Sequence, residues 1–339
     1  VQQTLDEGYI ITMVEILEQV SNDEGYLWDQ FYNCHLIKTN ENGDLLWSKL
    51  VSNFLPNSVQ QTLDGGYVTT GHRFTDWDSS EIVLVKTDEN GDSLWTKIFG
   101  ETCVSKSVQQ TTDGGYILSG ECDGNIVLIK TDEEGEQEWI QDISGEGDGH
   151  SVQQTIDEGY IITGRVFIYS DDFSQSSDVV LIKTDESGNP EWSETFGGEG
   201  YDVGVSVQQT TDQGYVICGS KEIMFNSSDL YVIKTDQNGD EQWSQNFGEE
   251  LYDDNGFDIK QTNDGGYIVT GRTRSFGDPL YPRLYLIKID SQGNVTSTIE
   301  LPTPTRKREL IKTTNILGQE NTTIKNQPLI EIYDDGSTE

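Results

Sequence analysis

Apolar and polar positions alternate along short runs of this chain, and turn-forming clusters bound each run. Residues 58–99 show the pattern. Ser58–Thr62 reads as a first strand, and Asp64-Gly65-Gly66 as a turn able to supply positive φ. Tyr67–Gly71 reads as a second strand and Glu81–Thr87 as a third, alternating like a half-buried strand. Asp88-Glu89-Asn90-Gly91 then turns into a fourth, Asp92–Phe99. A helical period is absent from these segments.

The same sentence is written six times. Its openings are VQQTLDEGYIIT (1–12), VQQTLDGGYVTTG (59–71), VQQTTDGGYILSG (108–120), VQQTIDEGYIITG (152–164), VQQTTDQGYVICG (207–219) and IKQTNDGGYIVTG (259–271). Each is answered by a second signature, as in LVKTDENGDSLW (84–95) or LIKTDESGNPEW (181–192). Four antiparallel strands per ~50 residues is the signature of a β-propeller blade, because one such sheet cannot bury both faces unless neighbours stack on it. The expected fold is all-β: a six-bladed β-propeller, or a seven-bladed one, with a short C-terminal β tail. The copies are bounded at 1–58, 59–107, 108–151, 152–206, 207–258 and 259–301, and residues 302–339 form the tail.

A Trp closes the second signature at Trp47, Trp95, Trp139, Trp192 and Trp243, and these are expected to wedge between blades. The sixth copy has Ser297 there, so its outer edge should pack differently. The connections between second and third strands vary widely in length, and in an antiparallel blade they open on one rim with the blade-to-blade links. Variable loops on a rigid scaffold are where binding resides. The candidate ligand face therefore gathers Trp28, His72, Arg73, Trp77, Arg165, Tyr169, Lys221, Arg272, Arg274 and Tyr281. An exposed aromatic-and-Arg cluster suits sugar rings or a protein surface.

Composition narrows the partners. A formal net charge of −39 over 339 residues argues against nucleic acid and anionic membranes. No apolar run reaches the ~20 residues that a membrane-spanning helix needs. Aromatic content of 10% argues for a folded rather than a disordered acidic chain.

The acidic turns resemble part of a calcium loop, yet the ligand spacing and distal Glu are missing; no cofactor is the leading expectation, with calcium as the alternative. Lys38, Lys86, Lys130, Lys183, Lys234 and Lys288 occur once per copy, as do the paired Gln residues. A catalyst is needed once, so these read as scaffold: the lysines neutralising turn carboxylates, the Gln amides bonding backbone around a central channel. His35, His72 and His150 sit in no catalytic motif, and no catalytic residue is assigned. Cys103 and Cys122 fall diagonally across neighbouring strands, close enough for a disulfide, while Cys34 and Cys218 read as buried thiols.

The TDxxGxxxW pattern resembles the Trp-ending repeats of pyrroloquinoline-quinone dehydrogenases and the Asp-box turns of sialidases, over ~10 residues per blade. Their cofactor and arginine-triad residues have no counterparts here. The SVQQTxDGGY repeat is similar to repeats of exported proteins of marine bacteria. After residue 302, TTNILGQE followed by PLIEIYDDGSTE resembles the C-terminal sorting domain of type IX secretion cargo in Bacteroidetes, with Asn315 and Gln319 where Asp and Arg are usual. That resemblance implies engagement of the secretion machinery and a secreted or cell-surface location. The leading expectation is a non-enzymatic binding or adhesion module for a glycan or surface protein. The alternatives are a polysaccharide-active hydrolase or lyase, and a self-assembling subunit of a surface layer or filament.

Overall fold

The computed structural model describes residues 1–16, 20–21, 27–29, 32–76, 79–169, 175–224, 227–249, 251–275, 283–300, 310–315 and 329–333. Val1–Ile299 forms one compact unit and Glu300–Glu339 a second. In the second unit, Leu310–Asn315 pairs antiparallel with Leu329–Tyr333.

In the first unit each copy lays four antiparallel strands side by side. In the structure the first strand of each of copies two to six starts a few residues ahead of its sequence boundary and is counted with the copy it opens; copy two uses Leu55–Gln61, Tyr67–Asp76, Ser79–Thr87 and Ser93–Phe99. Copy one uses Gln2–Gln3, Tyr9–Ile16, Tyr32–Thr39 and Leu45–Ser52, with a small ribbon of Val20–Ser21 and Leu27–Asp29 in its long excursion. The tight turn after each first strand has positive φ. Gly65, Gly114 and Gly265 supply it in copies two, three and six, while Glu7, Glu158 and Gln213 adopt it in the others.

The copies do not form six separate sheets, nor seven. Copies one, two, five and six each make a four-stranded sheet, whereas copies three and four share one of seven strands. Gln137–Gln154 runs unbroken for 18 residues, pairing with copy three as far as Glu146 and with copy four from Gly147. Gly145, Gly147 and Gly149 look like link chemistry in the sequence, but none takes positive φ, so the strand stays extended. The two halves still pack together: Ile117, Ile126 and Leu128 share a buried cluster with Tyr160, Ile162, Val180 and Ile182.

Two further expectations are corrected. The variable excursions are largely hairpins that lengthen the second and third strands, as in Tyr160–Tyr169 against Gln175–Thr184. Cys103 lies directly opposite Cys122, not diagonal to it, because an irregularity between Ser105 and Ser107 shifts the register. The two are joined as a disulfide, with Cα atoms 4.2 Å apart. Cys34 and Cys218 are buried and free, and burial pushes the Cys34 thiol up to about 12.

Between successive copies the contacts repeat. Each Trp meets the Tyr of the next copy edge-on or tilted, from Trp47–Tyr67 at 5.8 Å to Trp243–Tyr267 at 6.0 Å. It also covers the turn glycine of that copy: a Cβ on Gly188 would stand 2.7 Å from Trp139. The Gln pairs clasp neighbours reciprocally. Gln109 accepts from the Gln154 N–H at 2.6 Å, and Gln154 accepts from the Thr112 N–H at 2.8 Å. Each repeated Lys is anchored to the Asp of the first turn in its own copy, as Lys86 to Asp64 at 2.8 Å.

Candidate functional site

The first strands of copies two to six, with Val1, Thr270 and Leu284, line one cavity of 670 Å³. Each of copies two to six breaks its strand register just before the Gln pair, at Asn57, Lys106, His150, Val205 and Phe257. A β-bulge re-aims a side chain, and all five residues line the cavity. Around them the sequence hardly changes: Ser58, Ser107, Ser151 and Ser206 follow, with Asp258 in copy six. The fold thus holds one constant bulge and varies the residue on it. That signal was present in the sequence, as a variable position just before each repeated opening, but without the bulge it reads as an ordinary strand residue.

These side chains differ in chemistry. Asn57 donates to the Ser105 carbonyl at 2.6 Å and lies 3.3 Å from His72 Nδ1. His150 contacts Asp148, which also accepts from Arg165 Nη2 at 2.8 Å. Burial works to raise the Asp148 carboxyl, but His150 and Arg165 hold it below the usual range. Ser206 donates to Asp258 at 2.7 Å, and Lys260 reaches the same carboxylate at 3.1 Å. Phe257 is exposed. Among the described residues the half-buried Lys106 ammonium makes no ion pair; its charge, after burial, helps push His72 down to about 4.

In copies two to six the first strand begins opposite the later part of the second, as Leu55 opposite His72 and Asn255 opposite Arg272. The hairpins and the copy-to-copy links therefore share a rim. Of the residues expected on it, Trp77 and Tyr281 lie outside the described residues, as does the side chain of Trp28. The cations are tied within the protein: Arg73 to Glu81, Arg165 to Asp148, Arg272 to Asn255, Arg274 to Asp253, and Lys221 to the Gly197 carbonyl. Arg165 stacks over Phe167 at 5.0 Å and Lys221 over Tyr231 at 4.9 Å. Tyr169 stands exposed. Arg73 lies in copy two, Arg165 and Tyr169 in copy four, Lys221 in copy five, and Arg272 and Arg274 in copy six. Among the described residues no cluster of three metal-ligating side chains occurs.

No family model matches the chain, and no curated protein does. Solved structures do. The Dos1 propeller aligns over 96% of this chain and 77% of its own, at 12% identity and a TM-score of 0.50. The fold is a β-propeller. A streptogramin B lyase aligns over 98% of this propeller and 93% of its own chain, at 9% identity and a TM-score of 0.52. A protein from Lactobacillus plantarum covers 98% and 95%, at 14% identity and a TM-score of 0.54. Such identities speak to the fold alone, so the propeller's function rests on its own residues.

Proposed function

We propose that this propeller is an extracellular, non-enzymatic binding module that recognises a glycan through the mouth of its channel and the adjoining hairpin rim. The observation that carries this reading is the bulge ring. Five equivalent positions, held by an invariant scaffold, present Asn57, Lys106, His150, Val205 and Phe257 to one cavity. An exposed aromatic for stacking, with amide, hydroxyl and ammonium groups for sugar hydroxyls, suits a glycan. In this reading the six copies act as six blade units, with Gln137–Gln154 serving two of them. Residues 302–339 direct export and surface placement.

The test is a glycan array probed with the full chain and with Lys106→Ala and Phe257→Ala. Each variant should lose at least tenfold in binding to any hit, with no reducing ends released by the parent. Binding unchanged in both variants would remove the channel from the account.

A polysaccharide-active enzyme has one specific observation in its favour. Burial raises the Glu121 carboxyl, and the negative charge of Asp148 raises it further, so two carboxyl groups in different environments lie within electrostatic reach of each other. Release of reducing ends that Glu121→Gln abolishes would establish that reading instead.

A further inference from the structure

Each sealed interface between copies is made of two halves. The earlier copy offers its Trp, the first Gln of its pair and an apolar ridge. The later copy offers its Tyr, its turn glycine, its second Gln and a matching ridge. This complement is built five times within the chain. At the two ends of the array the halves are treated differently.

Copy six has lost its offer. Ser297 stands at the Trp position and Lys260 at that of the first Gln, so neither an indole nor an amide acceptor projects from it. Copy one keeps the receiving half. Gln3 is present, and its amide donates to the Glu7 carbonyl at 3.2 Å, as Gln110 does to Gly114 at 3.1 Å inside a sealed interface. Tyr9 is in place and only half-buried, whereas Tyr67, Tyr116, Tyr160, Tyr215 and Tyr267 are buried. Ile11 and Ile37 are half-buried where Thr69 and Val85 of copy two are fully buried. Above Gly43, no atom of the described residues lies within 4 Å of a Cβ position, whereas a Trp meets Gly91, Gly135, Gly188, Gly239 and Gly293 within 2.9 Å. Asp44 occupies the position of Asp92, which receives Lys49 from the preceding copy.

We propose that the leading face of copy one, formed by Gln3, Tyr9, Ile11, Ile37 and Gly43, is a docking surface for a Trp-ended sheet of this same repeat. The five internal interfaces specify two features of that sheet, an indole for Gly43 and Tyr9 and a Gln for the Gln3 N–H; the first two interfaces, where Lys49 and Lys97 follow the Trp by two residues and reach Asp92 and Glu136, add a Lys for Asp44. Copy six of this chain, or of a second molecule of it, carries Ser297 and Lys260 and does not meet the specification.

A tethered stand-in tests this. Residues 207–258, which contain Gln208 and Trp243, are duplicated ahead of Val1 in the full chain, reproducing the natural spacing between Asp258 and Ile259. The added copy should resist protease at least tenfold better than the same copy with Ser in place of its Trp. The urea midpoint of the whole chain should rise, and Tyr9→Ala should cancel both gains. Equal behaviour with Trp and Ser, or trimming back to Val1 with an unchanged midpoint, would overturn the proposal. So would sedimentation of the unfused chain as a dimer that Tyr9→Ala dissociates, because the occupant would then be a second copy.

Discussion

The boundary between copies four and five and the boundary between copies six and one are made from the same repeat, yet only the first is sealed. At the first, Ile161 and Leu181 are fully buried against Tyr215 and Ile217, with Trp192 packed at the edge. The equivalents of Ile161 and Val179 in copy six, Ile268 and Leu284, are 36% and 58% exposed. The repeated lysine makes the same point: its side chain is 3–5% exposed in copies one to five and 24% exposed as Lys288. Sheet formation is therefore local to each copy, while burial comes from the neighbour. Two small sequence changes, Trp to Ser297 and Gln to Lys260, coincide with this exposed ridge of copy six. A repeat array is stabilised by its interfaces as much as by its units.

The largest expected contrast comes from one substitution made at both kinds of boundary. Tyr160→Ala removes a buried ring from a sealed interface and should cost about 4 kcal/mol in urea unfolding. Tyr9→Ala removes the equivalent ring from the open face and should cost less than about 1 kcal/mol. Similar costs at both would mean that copy one is covered in solution.

Glycine replacement gives a smaller contrast. Gly43→Ala and Gly188→Ala share the strain of positive φ, at +83° and +78°. Only at Gly188 does the new Cβ meet Trp139, which should add about 1–2 kcal/mol of destabilisation at that site.

Much of this was legible before any coordinates, and for a physical reason. The Trp, Lys and Gln residues recur because every interface needs them, so repetition in the sequence reports a repeated contact. What the sequence hid was geometry that depends on a single residue. The bulge at Lys106 moved Cys103 from diagonal to direct pairing with Cys122, and it also turned Lys106 into the channel. Gly145, Gly147 and Gly149 carry the composition of a link while lying in a continuous strand. The rim cations looked available because composition shows them scarce; their carboxylate, amide and carbonyl partners lie on neighbouring strands and links.

The sealed side also contains an electrostatic cost. Burial, with Asp178 adding, raises the Asp202 carboxyl from 3.8 to about 6. One of its oxygens accepts the Glu222 N–H at 2.8 Å, and among the described residues the other is buried without a hydrogen-bond partner. Between pH ~4 and ~6 the folded state binds this proton more tightly than the unfolded chain, so stability should fall as pH rises through that window and level off above it. Asp202→Asn should abolish that slope and stabilise the protein by about 1–2 kcal/mol at pH 7, measured by urea midpoints from pH 4 to 8. A slope unchanged in the variant would assign the pH dependence elsewhere. The smallest effect concerns the turns: Glu158→Gly relieves a positive φ of 69° and should stabilise by about 0.5–1 kcal/mol.

Thiol labelling of the folded protein addresses the open boundary most directly. Ile268→Cys and Ile161→Cys place a thiol at equivalent ridge positions of copies six and four, in a chain whose two free native thiols are buried. The cysteine at 268 should react at a rate close to that of an exposed thiol, and the one at 161 only as fast as the protein unfolds. Equal protection at both positions would contradict the account, since the ring would then be sealed all the way round.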